Sequence, residues 1–169
     1  VKGPAHRRAL KQADPTKPDA PPVAQVGCLF CEWDAKDFDD RKEAILAHLE
    51  ALWAQGQGLP WPSVLVDSGG GYHGYWLLDE PLHIDHVNRA EVVAAQAAWV
   101  DLWRADDNAK DIARVLRLPG TLNHKYEPPP PVASHPDSTT RRPYCGAWLL
   151  EWLPELEPAQ PHESAQVEV

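Results

Sequence analysis

The sequence predicts a single α+β domain in which a mostly antiparallel sheet is covered on one face by helices. Two observations lead to this class. Apolar residues recur at strand spacing in some segments and at helical spacing in others. Two neighbouring strand-like segments are also joined by a short glycine-rich turn, which is typical of a hairpin. The length of 169 residues suits one domain, and 43% hydrophobic residues suffice for one core.

The elements follow one another as strand, helix, hairpin, helix, helix and a last candidate strand. The predicted strands span 26–34, 62–67, 72–78 and, at an edge of the sheet, 142–150. The first predicted helix is capped by Asp39 or Asp40 and covers 41–55; the second is capped by Asp85 and reaches Arg104; the third opens at Asp106 or Asp107 and stops before Pro119. Runs of strands and helices in this order favour an α+β layer.

The two ends of the chain differ in composition from its middle. We predict a polar, proline-rich leader over 1–25, the folded catalytic domain over 26–152, and an acidic, disordered tail over 153–169. The proline run 128–131 reads as a stiff connector, because proline lacks the donor that regular structure needs. A chain that begins with Val and has no Met indicates a piece of a longer parent protein.

The charge and the cysteines limit the class of protein. The net charge of −9 argues against a wide polyanion-binding surface, so any basic patch must be local. Three cysteines, an odd number, favour a reducing, cytoplasmic setting. No apolar run approaches the length of a membrane span, so we expect no membrane partner.

Two acids stand at the end of the first predicted strand. Residues two apart in a strand point to the same face, so Glu32 and Asp34 project together. Mg²⁺ and Mn²⁺ prefer carboxylate oxygens, completed by water and phosphate oxygens. The pair is therefore a candidate divalent-cation site, although acidic pairs are also common at ordinary strand ends.

A glycine-rich turn separates the two strands of the hairpin. Ser68, Gly70 and their neighbours are followed by His73, and backbone N–H groups in such a turn can hold phosphate oxygens. It is not a P-loop, since no Gly-Lys-Ser/Thr follows. A plain glycine hairpin with a surface histidine is the alternative interpretation.

A third polar cluster lies in the segment 111–125. Asp111 and Arg114 are three apart and would pair on the predicted helix. Arg117, Asn123 and Lys125 add donors beside a glycine turn, as a triphosphate would require. The alternative is a helix salt bridge followed by a solvated loop.

Taken together, these motifs resemble the archaeo-eukaryotic primase superfamily, above all the primase-polymerase (RepB-like) branch of plasmids and phages. That family has an acid-x-acid motif ending a strand, a short motif ending in His, and a later single Asp. The strings SGGGYHGYWLLDEPL and DIARVLRLPGTLNHK carry the resemblance, which spans 27–125. Glu32 stands where many members have Asp.

The resemblance implies an RRM-like antiparallel sheet that carries a two-metal nucleotidyl-transfer site. It implies that Glu32, Asp34 and Asp111 bind Mg²⁺ or Mn²⁺ and are catalytic together with His73. The residues that it implies for nucleotide binding are Ser68, Gly70, His73, Arg117, Asn123 and Lys125. The expected activity is extension or initiation of nucleic acid from nucleoside triphosphates on a single-stranded or primed DNA template, with a helicase or other module in the parent protein.

Two other functions stay open on the sequence alone. A metal-dependent nuclease or relaxase of plasmid replication also needs acids and a histidine, but the basic loop would then lack a purpose. A replication-initiator domain that only binds DNA is disfavoured by the negative charge. Zinc at Cys28 and Cys31 is disfavoured as well, because residues three apart in a strand face opposite ways.

Overall fold

The computed structural model describes residues 23–54, 59–85, 88–138 and 143–154. The predicted leader and most of the predicted acidic tail lie outside these ranges, so both domain boundaries stay predictions. Within the described ranges, none of the helices has the length and apolar character needed to cross a bilayer.

Four antiparallel strands form one sheet in the order β1-β3-β2-β4. The strands are β1 (Gln25–Asp34), β2 (Val64–Asp67), β3 (Gly71–His83) and β4 (Ala133–Ser134). The helices are α1 (Lys42–Ala54), α2 (Arg89–Leu102) and α3 (Gly146–Leu150), with 3-10 turns at Ala35–Phe38, Asp107–Lys110 and Pro136–Ser138. The predicted α+β class, the antiparallel sheet and the hairpin are confirmed.

The core lies between one face of the sheet and the helices. Trp33 of β1 and Trp76 of β3 contact each other at 6.5 Å between ring centroids, and Trp103 after α2 packs against both. The indole of Trp33 also donates a hydrogen bond to the carbonyl of Trp103 at 3.2 Å. Because side chains alternate along a strand, burying Trp33 directs Glu32 and Asp34 to the opposite face.

The predicted third helix is wrong. Only Asp107–Lys110 form a 3-10 turn, which Asp106 caps by accepting from the Asn108 N–H. Asp111 has extended dihedral angles, φ −85° and ψ 135°. The segment that follows to Gly120 has no regular structure. Its side chains bond to distant parts of the sheet, as described below, and such tertiary contacts override weak helix propensity.

The predicted edge strand over 142–150 is also wrong. Tyr144 makes one isolated bridge to Leu78, and the chain then enters α3, whose Leu149 is buried in the core. The edge beside β2 is formed by β4 instead, through the pair Val66 and Ser134, and β1 is the other edge of the sheet. Position 142 itself lies outside the described residues.

The start of α2 differs from its prediction. The helix begins after Asn88, and Asp85 lies three residues before that cap. The Asp85 carboxylate accepts from the Asn88 N–H at 2.9 Å, while the Asn88 side chain accepts from the Asp85 N–H at 3.0 Å. Asp85 therefore stabilises the start of α2 by bonding to Asn88, and Asn88 itself is the residue that caps the helix.

Candidate functional site

Glu32 and His73 lie directly opposite each other on β1 and β3. The distance from Glu32 Oε1 to His73 Nε2 is 3.7 Å. His73 is only 1% exposed, and neither ring nitrogen has a hydrogen-bond partner among the described residues. Burial lowers the pKa of His73; the Glu32 charge opposes this shift, while Arg117 and Arg114 add to it. The imidazole is therefore neutral near pH 7.

Arg114 joins β1 to the segment that carries Asp111. Its Nη2 and Nε donate to Glu32 Oε2 at 2.6 and 3.2 Å, and Nη1 lies 3.6 Å from Asp111 Oδ2. Nη1 also donates to the backbone carbonyl of Asn108. The predicted pair of Asp111 and Arg114 is present, although the predicted helix is not. The main partner of Arg114 is Glu32, which lies 82 positions earlier in the chain.

Asp34 closes the end of β1 and lies between two lysines. Lys36 Nζ is 2.9 Å from Asp34 Oδ2, and Lys125 Nζ is 3.9 Å from the same oxygen. The hydrogen bond to Asp34 is the largest cause of a raised pKa of Lys36, followed by the charge of Asp34. Asp34 and Glu32 thus share one face of β1, as predicted, with cations beside both.

The turn between β2 and β3 is closed by two hydrogen bonds from Ser68 to Gly71, one from the backbone N–H and one from the hydroxyl. Ser68 Oγ donates to the Gly71 carbonyl at 3.1 Å, and Gly69 has a positive φ of 85°, which glycine adopts without strain. A Cβ at Gly70 would collide with the Tyr126 ring. Glycine at position 70 therefore lets the Tyr126 ring lie against the turn.

The basic loop after Gly120 folds back onto this turn. The Asn123 side chain is buried and donates to the Ser68 carbonyl at 2.8 Å, while its oxygen accepts from the Lys125 N–H at 3.1 Å. The Asn123 N–H donates to the Pro130 carbonyl at 2.8 Å, so the proline run is packed into the loop. Asn123 and Ser68 thus anchor the loop, and their contact with a nucleotide stays a prediction.

The sequence-predicted residues therefore converge on one region of the molecule. Glu32, Asp34 and His73 share one face of the sheet, Arg114 brings Asp111 alongside, and Lys125 reaches Asp34. Sequence reasoning missed the contribution of Lys36 and the contact of Arg114 with Glu32. The only local signal for Lys36 is its position two residues after Asp34; no local pattern indicates a contact that spans 82 residues.

The chemistry of the three candidate ligands, Glu32, Asp34 and Asp111, suits a hard divalent cation. Three carboxylates supply the oxygen ligands that Mg²⁺ and Mn²⁺ prefer. The Arg114 guanidinium contacts both Glu32 and Asp111, so these two carboxylates already share one positively charged partner. As now placed with their cationic partners, the described residues contain no group of three or more His, Cys, Asp or Glu side chains close enough to hold a metal ion.

Comparison with known proteins bears on the fold. No family model matches the sequence. A replication protein of Clostridium perfringens is 25% identical over 117 residues, which cover 61% of this chain and 25% of that protein. The chain thus spans about a quarter of the length of this relative. The AEP domain of the cyanophage S-2L primase-polymerase superposes with a TM-score of 0.59 at 24% identity, over 78% of this chain and 62% of that one.

The superposition confirms the fold that the motifs predicted. The antiparallel sheet presents the acid-x-acid pair and the histidine on adjacent strands, and the third acid lies on the following segment. The chain therefore has the fold of an archaeo-eukaryotic primase (AEP) domain.

Proposed function

We propose that the chain is the catalytic domain of a primase-polymerase, which initiates or extends nucleic acid from nucleoside triphosphates on a DNA template. The observation that carries this proposal is that Glu32, Asp34 and His73 share one face of an AEP-type sheet, while Arg114 holds Asp111 beside Glu32. Ordinary surface acids do not require a buried imidazole beside them. The shared fold alone would support the proposal less, because one fold hosts many functions.

Glu32, Asp34 and Asp111 are the proposed ligands of Mg²⁺ or Mn²⁺. Such ions, when bound, neutralise phosphate charge and increase the acidity of an attacking hydroxyl group. The chain itself supplies the carboxylates on a rigid strand, held from behind by the packing of Trp33. Positioning and charge complementarity are the main contributions of the protein in phosphoryl transfer.

His73 is the proposed contact for the phosphates of the incoming nucleotide. Because it is buried and neutral, it presents one N–H donor without adding charge to an already crowded set of cations. Arg117 and Lys125 supply the positive charge that a triphosphate needs. Gly70 is proposed to let the turn approach the ligand, with Ser68 and Asn123 holding the turn and loop together.

The proposed contact for a single-stranded or primed template is the segment 115–126, which includes the basic loop and is called the template loop below. Four apolar side chains of this loop are exposed: Val115, Leu118, Leu122 and Tyr126. Arg117 and Lys125 lie between them, so the loop offers both apolar and cationic contacts. A single strand can bind such a surface, because its bases need apolar or aromatic contacts and its phosphates need cations. This arrangement also fits a local basic patch on a chain of net charge −9.

The parent protein is proposed to be longer and cytoplasmic. The chain covers only a quarter of the replication protein that it resembles, which leaves room for a helicase or other module. Free thiols at the three described cysteines agree with a reducing compartment, where nucleoside triphosphates are also available.

The test is template-dependent incorporation of labelled nucleotides with Mn²⁺ or Mg²⁺, with and without a primer. Asp34→Asn should abolish incorporation, while Asp37→Asn, an equal change of charge three residues away at an exposed position, should retain it. Product from an unprimed template would establish initiation as well as extension. Full activity of Asp34→Asn would refute the proposed site.

The same assay without nucleotides separates the two alternatives. Cleavage of labelled DNA in the presence of metal alone would favour a nuclease or relaxase. Tight DNA binding with neither cleavage nor metal-dependent nucleotide binding would favour a replication-initiator domain. Either result, obtained with folded protein, would replace the polymerase proposal.

A further inference from the structure

The guanidinium of Arg114 occupies the space between two proposed metal ligands. Nη2 and Nε both donate to the same oxygen of Glu32, and Nη1 lies beside Asp111. The side chains of Arg114 and Glu32 are only 14% and 13% exposed. This ion pair is therefore shielded from solvent, and it neutralises carboxylate charge that a divalent cation would otherwise neutralise.

The two lysines near Asp34 are much more exposed to solvent than Arg114. The side chains of Lys36 and Lys125 are 58% and 55% exposed, and Lys125 lies 3.9 Å from Asp34. Exposed lysine pairs exchange with solvent at little cost. An enclosed guanidinium that donates twice to one oxygen is held more firmly, because charge-assisted hydrogen bonds strengthen in a shielded site.

We propose that Arg114 sets the divalent-cation affinity of this site by competing with the ion for Glu32 and Asp111. In the absence of the ion, Arg114 acts as its substitute, keeping both carboxylates together and neutralised. The guanidinium would have to release Glu32 Oε2 for an ion to bind there, because a guanidinium and a divalent cation repel each other at such short range. This inference rests on the proposed function, which identifies Glu32 and Asp111 as ligands.

Two predictions follow that have opposite signs for stability and for metal affinity. Removing the guanidinium takes from the shielded Glu32 carboxylate the cation that donates to it twice, so the metal-free protein loses stability. The same change removes a competitor and a positive charge, so the ion binds more tightly. If Arg114 instead only oriented Glu32, as partners of metal ligands commonly do, its removal would weaken metal binding.

The first experiment measures Mn²⁺ binding without nucleotide or DNA, by the electron paramagnetic resonance signal of the free ion. Arg114→Gln is expected to bind Mn²⁺ at least about tenfold more tightly than wild type. Lys110→Gln is the matched control: it removes one positive charge that pairs with Asp101 and Asp107, and it should leave the affinity unchanged.

The second experiment follows thermal unfolding of the same proteins in EDTA and in saturating Mn²⁺. Arg114→Gln should melt below wild type in EDTA and gain more from Mn²⁺, because a tighter ligand stabilises the folded state more. Arg114→Lys keeps the charge with fewer donors, and should fall between the two in affinity. It serves the test if the glutamine variant does not fold.

Equal or weaker Mn²⁺ binding by both variants would overturn the inference. Failure of the proposed function would look different: wild type and Asp34→Asn would bind Mn²⁺ alike. In that case Asp34 would not be a metal ligand and the proposed site would fail, whatever the behaviour of Arg114. Tighter binding by Arg114→Gln that disappears in the double variant with Asp34→Asn would support both the site and the competition.

Discussion

Gln96 of α2 connects the two parts of the chain that bear the proposed metal ligands. Its side-chain amide donates to the carbonyl of Phe30 at 2.8 Å and to the carbonyl of Ala109 at 3.1 Å, and accepts from the Phe30 N–H at 3.3 Å. Phe30 lies two residues before Glu32, and Ala109 two residues before Asp111. Gln96 is 1% exposed, so no solvent replaces these bonds.

We expect Gln96→Leu to destabilise the domain by about 2 to 4 kcal/mol. The substitution keeps the volume similar but leaves three backbone groups without a partner, in an edge strand and a buried turn. Each such bond contributes about 1 kcal/mol net, and each stranded group costs about 1 to 3 kcal/mol. Burial of the leucine side chain offsets part of this loss. The remainder is a large share of the 5 to 15 kcal/mol typical of a domain.

Urea denaturation of wild type, Gln96→Leu and Gln25→Leu measures this loss of stability. Gln25→Leu is the matched control, since Gln25 lies on the same strand with an exposed side chain near His83. The midpoint should fall only for Gln96→Leu, with an unchanged slope. A loss below about 0.5 kcal/mol would refute the reasoning, because it would mean that the three backbone groups need no internal partner.

Three further predictions concern the strand end, the cysteines and the template loop. Gly71→Ala should cost about 2 kcal/mol in denaturation, because a Cβ there would collide with a backbone carbonyl of β1; wild-type stability would contradict this. Thiol titration should modify Cys145 first and Cys31 only on unfolding, since burial raises the pKa of Cys31; equal rates in the native protein would refute its burial. Replacing Leu118 and Leu122 together by Ser should weaken single-stranded DNA binding about tenfold, measured by fluorescence anisotropy; unchanged affinity would exclude the template loop from the template contact.

The local features of the fold were predictable from the sequence because they depend on neighbouring residues. Alternation along β1 puts Glu32 and Asp34 on one face and Trp33 on the other. The turn before Gly71 and the helical spacing of Ile45 and Leu49 are equally local. The cysteines follow the same geometry: Cys31 is buried, Cys28 is half-buried, and neither is in a disulfide.

The segment from Asp107 to Gly120 shows where local reasoning fails. Its residues permit a helix, yet the chain stays irregular beyond Lys110. Gln96 holds the Ala109 carbonyl, and Arg114 extends to Glu32 on a strand 82 positions earlier. Contacts of this kind outweigh the few tenths of a kcal/mol per residue by which helix propensities differ.

Local sequence pattern was enough to predict that Glu32 and Asp34 share one face of a strand and that a glycine turn follows, because strand periodicity and turn chemistry are encoded within a few residues. His73 and Asp111 were assigned to the candidate site through the family resemblance. Three features emerge only in the folded chain: β4 pairs with β2 at one edge of the sheet, Asn123 donates to the Ser68 carbonyl, and Arg114 lies between Glu32 and Asp111. These pairings depend on which distant carboxylates and carbonyls remain to be satisfied once the core has packed.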